Sequence, residues 1–244
     1  MSILDREEYS FLHNDFFQKH EIVLLAYGGS HAYGLNTPSS DIDIRGIAMN
    51  TESELLGTDN FEQFAHNKTD TVIYSFNKAI KLLVNCNPNV IEVLGYTSYF
   101  TLSSIGQMLI ENRKLFLSRK AIASFGGYAN QQEYRLQNKI TNGRDNLHIN
   151  KQAMHLIRLY MTCIDILEKE EIIIYRSDEE RAFLMSIRNG AYLNNAGEYS
   201  QDFFDILNNY KRKFDYAKEH TNLPEHPDMK RVNQFMIECN RSVL

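Results

Sequence analysis

Apolar residues change rhythm several times along the first hundred residues. Ile3, Leu4, Tyr9, Phe11, Leu12 and Phe16 fall at helical spacing, which predicts an amphipathic helix over 3–19. From Glu21 to Tyr27 a short apolar run ends in Gly28-Gly29-Ser30. Its length, β-branching and glycine stop predict a buried strand. Residues 34–40 are turn-rich, and residues 41–48 alternate apolar and polar, which predicts a second strand. Residues 70–75 predict a third. Helical spacing returns from Phe76 to Cys86, stops at Asn87-Pro88-Asn89, and resumes briefly over 90–94. Beyond residue 100 the spacing is helical over about 102–140, 150–170, 179–190, 200–219 and 228–242, and only 172–175 reads as extended. Phe125-Gly126-Gly127-Tyr128 reads as a bend before a long helix. The expected class is α+β, with a small mixed sheet and helices over 1–100 and a mostly helical domain over 101–244.

Composition narrows the functions on offer. The 244 residues are 43% hydrophobic and 23% charged, as in a folded globular chain. No window of about 18 apolar residues occurs, so no membrane span is expected. The first residues carry charge where a secretion signal needs an apolar stretch. Cys86, Cys163 and Cys239 are odd in number and widely spaced, which fits reduced thiols in the cytoplasm. Net charge is −5, which excludes a uniformly basic nucleic-acid coat. The balance is uneven, however. Residues 105–160 hold nine basic and three acidic side chains, or +6, leaving −11 for the rest. Such a segment is either a solvated helical face or a surface for phosphates.

The most informative stretch is 28–44. On a strand, Asp41 and Asp43 point to one face while Ile42 and Ile44 turn to the other. Two neighbouring carboxylates repel, and a divalent cation removes that penalty. Gly29 lets backbone N–H groups approach a phosphate, and the Ser30 hydroxyl adds a donor. Either feature alone is common on solvent-exposed strand edges and turns. Together, with strands on both sides, they point to nucleotidyl transfer. Arg45 alternates onto the face of Asp43 and is expected to pair with a carboxylate or hold a phosphate. Lys151, His155 and Arg158 stand at i, i+4 and i+7, one stripe of a helix inside the +6 segment. The stripe reads as a phosphate clamp or as the wet face of an ordinary helix, and Lys139 and Arg144 would extend it. No GxSxG, Walker loop, GxGxxG or HExxH occurs, which removes the common hydrolase, P-loop, Rossmann and zinc-protease readings.

The order of apolar strand, Gly-Ser, loop and Ser40-Asp41-Ile42-Asp43-Ile44 resembles the DNA polymerase β-like nucleotidyltransferase superfamily. Residues 27–48 with Asn87 to Leu94 resemble, more narrowly, a bacterial and phage family of nucleotidyltransferases, some associated with RNA repair. Shorter matches at 151–158, 187–190 and 223–228 carry the resemblance over most of the chain. It implies two Mg²⁺ ions (Mn²⁺ as an alternative) held by three carboxylates on a small sheet. Asp41 and Asp43 match the first pair. Asp70, at the start of the third predicted strand, is expected to be the third, with Glu92 as the fallback. Gly29, Ser30, Arg45, Lys151, His155 and Arg158 would bind a nucleoside triphosphate such as ATP. The acceptor hydroxyl would belong to an RNA 3′ end, tRNA-like for example, or to a small molecule or protein. A nucleotide sensor without catalysis is the rival reading on the same fold.

Overall fold

The computed structural model describes residues 3–141 and 146–244. The predicted helix over 3–19 is divided. Two 3₁₀ segments, Ile3–Asp5 and Glu7–His13, precede a short helix α1 (Asp15–Lys19). The division falls at Asn14, whose side chain accepts hydrogen bonds from the backbone N–H groups of Phe16 and Phe17 and so starts a new helix. Strand β1 (Ile22–Tyr27) leads into α2 (Gly29–Ala32), and β2 (Ile44–Ala48) into α3 (Glu52–Leu56). Strands β3 (Gln63–His66) and β4 (Thr71–Ser75) follow, then α4 (Phe76–Leu83), α5 (Pro88–Ile91) and a two-residue strand β5 (Thr101–Leu102). The rest of the chain is helical, with α6 (Ser104–Glu111), α7 (Lys120–Thr141), α8 (Asn146–Lys169), α9 (Asp178–Arg188), α10 (Gln201–His220) and α11 (Met229–Asn240). The class is α+β. Among the described residues no helix is long and apolar enough to cross a membrane.

The chain forms two compact units. The first comprises Met1–Val84, Asn89–Phe116 and Pro227–Leu244, and the second Asn85–Pro88 and Leu117–His226. The expected division at residue 100 thus falls inside the first unit, which also recruits α11 from the end of the chain. Its sheet runs β3-β4-β2-β1-β5. β1 is antiparallel to β2 and to β5, β3 is antiparallel to β4, and β2 and β4 run parallel. The sequence pattern reveals neither β3 nor β5, because each is too short to display an alternation. Beneath the sheet, Tyr9, Leu12 and Phe17 of the N-terminal segment pack with Leu25, Ile44, Phe61 and Ile73. The buried imidazole of His20 ties α1 to α3. Its Nδ1 faces the carbonyl of Phe16 at 2.7 Å and its Nε2 faces Glu54 Oε1 at 2.8 Å.

In the second unit α8 packs against α7, α9 and α10. Covered on three sides, it buries Met154, Ile157, Met161 and Ile164 and also Leu156, Leu159 and Ile166. Gly126 and Gly127 lie inside α7, so the expected bend is absent. Residues 172–175 belong to no strand. They are held instead by their ends: Ile172 and Ile174 are buried, and Arg176 pairs with Asp165 and donates to Thr162 Oγ1. Both ends of that ion pair are almost wholly shielded from water, and Lys169 also reaches Asp165 at 2.8 Å. Removing Arg176 leaves the buried Asp165 with only the solvent-exposed Lys169 opposite it and opens an unfilled polar site. Arg176→Met is therefore expected to lower unfolding stability by about 3 kcal/mol, read from the urea midpoint.

Candidate active site at the head of the sheet

Strand register assembles the site in the first unit. The parallel pairing of Ile44 with Thr71 places the residues just before them, Asp43 and Asp70, at the same end of neighbouring strands. The antiparallel pairing of Tyr27 with Ile44 places Gly28 opposite Asp43. Two backbone bonds extend these ladders past the strand ends. Gly28 N–H donates to the Asp43 carbonyl at 2.8 Å, and Ile44 N–H donates to the Asp70 carbonyl at 3.1 Å. A strand containing Asp41 and Asp43 does not form, because β2 starts only at Ile44. A tight turn precedes these residues: Ser40 N–H donates to the Thr37 carbonyl, and Thr37 N–H donates to Ser40 Oγ.

Gly29 meets Asp43 closely. A Cβ on Gly29 would stand 1.7 Å from Asp43 Oδ2, and the residue has a φ of +53°. Both facts demand glycine. Gly28, which the sequence reading passes over, has the same role toward Arg45: a Cβ there would lie 2.6 Å from Arg45 Cγ. Ser30 follows in the first turn of α2, and its carbonyl accepts from Leu35 N–H at 2.9 Å, folding the loop back on itself. The ring of His31 lies on Tyr27 with centroids 5.2 Å apart, and its buried Nε2 has no protein partner.

Arg45 links the two carboxylates. Its guanidinium lies 3.1 Å from Asp70 Oδ1 and 3.7 Å from Asp43 Oδ1. It also donates to the carbonyls of Asp70 and Ile44. Asp70 is a left-handed residue, with φ 41° and ψ 47°, a conformation that aspartate tolerates better than most side chains. That geometry ends the 3₁₀ turn Asn67–Thr69 and turns the exposed carboxylate toward Arg45. Asp41, also exposed, shares an open recess of about 450 Å³ with Asp70, Lys68, Glu8 and Tyr9. The last three are invisible to motif reading: Lys68 comes with the turn that leads to Asp70, and only the fold brings Glu8 and Tyr9 of the N-terminal segment here. Glu92 lies on the 3₁₀ turn Glu92–Gly95 that follows α5. It is buried and accepts a 2.7 Å hydrogen bond from Tyr33 Oη, tying the segment after α5 to the end of α2.

Among the described residues, no three acidic, histidine or cysteine side chains stand close enough to form a ready metal cage. The donor chemistry nevertheless suits a hard divalent cation. Carboxylate oxygens gather around a positive group, with further positions left to phosphate and water. In this structure the positive group is Arg45.

Lys151, His155 and Arg158 lie on α8 in the second unit and form a cluster of their own. They are not a wet stripe: Lys151 is exposed, His155 is half-buried and Arg158 is only 2% exposed. Arg158 Nη2–H donates to His155 Nδ1 at 3.2 Å, so the imidazole carries its proton on Nε2. Arg144 and the side chain of Lys139 lie outside the described residues.

The profile of RlaP, described as the RNA repair pathway DNA polymerase beta family, matches residues 10–238. The chain belongs to that family. Membership spans both units, and it includes the Gly28-Gly29 turn, the three aspartates and the α8 cluster. No curated protein matches the chain. Among solved structures, a nucleotidyltransferase-like protein from Exiguobacterium sibiricum 255-15 aligns over 93% of this chain and 76% of its own length, at 8% identity and a TM-score of 0.31. That likeness is too loose to bear on the site.

Burial, with Arg158 and then Lys151 beside it, pushes the His155 imidazole down to about 3. Its folded value is depressed, so the unfolded chain binds the proton more readily. The resulting stability is whole above about pH 6.5 and drains away as pH falls toward 3. His155→Gln should remove that part of the acid sensitivity. The check is the difference between the two proteins' denaturation midpoints from pH 7 to pH 4, which should narrow steadily on acidification.

Proposed function

We propose that the protein is a Mg²⁺-dependent nucleotidyltransferase that moves a nucleoside monophosphate from a triphosphate to an acceptor hydroxyl, with an RNA 3′ end as the acceptor. One observation carries this reading: the Gly28-Gly29 backbone lies directly against a carboxylate that strand register pairs with a second one. A phosphate-approach surface and an anionic centre thus share one strand end. The family's connection with RNA repair supports the choice of acceptor, as does the +6 segment.

In this reading Asp41, Asp43 and Asp70 would hold the metal. When bound, the metal offsets charge on the triphosphate and lowers the pKa of the attacking hydroxyl. Gly29 and Ser30 turn backbone N–H and hydroxyl donors toward the β- and γ-phosphates. Asp70, exposed beside the recess, accepts the proton as the acceptor oxygen bonds to the α-phosphorus. The bond from the α-phosphorus to the bridging oxygen breaks, and pyrophosphate carries away the electron pair. Arg45 offsets the negative charge that grows on the leaving group. Nucleotidylation of a small molecule or protein uses identical groups and differs only in what enters the recess. A cytoplasmic setting belongs to this reading, and Cys86, Cys163 and Cys239 are buried and form no disulfide.

Incubation with labelled nucleoside triphosphates, Mg²⁺ and mixed cellular RNA tests this. Label should enter RNA with the wild type and fall by at least 10²-fold in Asp41→Ala/Asp43→Ala. Transfer should also drop steeply between 50 and 200 mM salt, as backbone contacts require. Tight nucleotide binding with no transfer to any acceptor would leave a sensor.

A further inference from the structure

Arg45 occupies an unusual position for a phosphate ligand. Its guanidinium already lies between Asp43 and Asp70, at 3.7 and 3.1 Å, with further bonds to the carbonyls of Asp70 and Ile44. Its stem crosses above Gly28, which has no side chain to obstruct it. The group is rooted on β2 but remains about one-quarter exposed, so its charged end borders solvent.

We propose that Arg45 is the site's resident counter-cation, which competes with a divalent metal for Asp43 and Asp70 and must withdraw before the metal can enter. This inference rests on the nucleotidyl-transfer reading of the site. Two carboxylates at neighbouring strand ends need a positive group between them if the strand ends are to stay together. A guanidinium suits a standing role, being weakly hydrated and forked. A divalent ion and a guanidinium repel each other at contact distance, so they compete for the two carboxylates. Metal alone therefore binds weakly. Once the metal enters, Arg45 is released at the solvent edge and is free to pair with a phosphate. Metal and triphosphate then favour each other's binding through this residue, a coupling that works equally in both directions.

The test follows Mn²⁺ binding to the whole chain without nucleotide, through the electron paramagnetic resonance signal of the free ion. Arg45→Gln should bind Mn²⁺ at least ten times more tightly than the wild type. Arg45→Lys keeps the charge and spares the fold but loses the fork, and it should fall between the two. Adding Asp70→Asn to Arg45→Gln should abolish the gain. Unchanged or weaker Mn²⁺ binding in both Arg45→Gln and Arg45→Lys would overturn the proposal. So would a gain that survives Asp70→Asn, because the metal would then lie elsewhere. Binding of Mn²⁺ with ATP to the wild type, measured in parallel, separates the two claims. If that complex binds and the Arg45 variants show no gain, the counter-cation role fails and the transferase reading stands. If the variants gain Mn²⁺ affinity but the complex does not bind, the counter-cation role stands and the triphosphate reading fails.

Discussion

The carboxylate of Asp43 lies where a side chain at residue 29 would be. This close approach organises the end of the sheet where the candidate site lies. It is possible only because residues 28 and 29 are both glycine, so the turn leaving β1 can lie flat against the residue that enters β2. The Gly28 N–H bond to the Asp43 carbonyl then extends the β1–β2 ladder by one rung. On the other side, the parallel pairing of β2 with β4 brings Asp70 alongside. Two acids brought together in this way repel, and Arg45 supplies the compensating charge. The site is thus a product of strand register, and a slip of one residue in either pairing would send a carboxylate to the opposite face.

How legible this was in the sequence depends on distance along the chain. Gly29, Asp43 and Arg45 lie within seventeen residues, on the ends of two adjacent strands, and alternation alone predicts that Asp43 and Arg45 share a face. The strand pattern over 70–75 also led correctly to the start of β4, and so to Asp70 beside the same end. Alternation failed at Asp41, because residues 40–43 stay irregular after the Thr37–Ser40 turn and β2 starts only at Ile44. Glu8, Tyr9 and Lys68, which line the recess with Asp41, had no signal at all. Glu8 and Tyr9 arrive by tertiary packing of the N-terminal segment, and Lys68 by the turn that ends at Asp70.

The α8 cluster shows the other limit. Spacing correctly placed Lys151, His155 and Arg158 on one helix and one stripe. It could not show that α8 is covered on three sides, which changes the stripe's chemistry from a row of exposed charges into a graded one. A neutral imidazole supported by a buried guanidinium is a directional hydrogen-bond donor rather than a diffuse positive patch. Local propensity likewise misleads at Gly126–Gly127, where two glycines argue for a bend and the helix runs on. Gly126 packs against Phe214, while Gly127 faces open space, so the tertiary setting rather than the local sequence keeps α7 continuous.

The central claim is that the glycine turn and the Asp43 carboxylate form one catalytic surface. A pair of glycine substitutions tests it directly, with transfer rate and thermal midpoint measured on each protein. Gly127→Ala fills open space on a helix and should leave transfer unchanged while holding or raising the midpoint. Gly29→Ala must displace Asp43 and should reduce transfer by at least 10²-fold in a protein that still unfolds cooperatively. Wild-type transfer by Gly29→Ala would contradict the account.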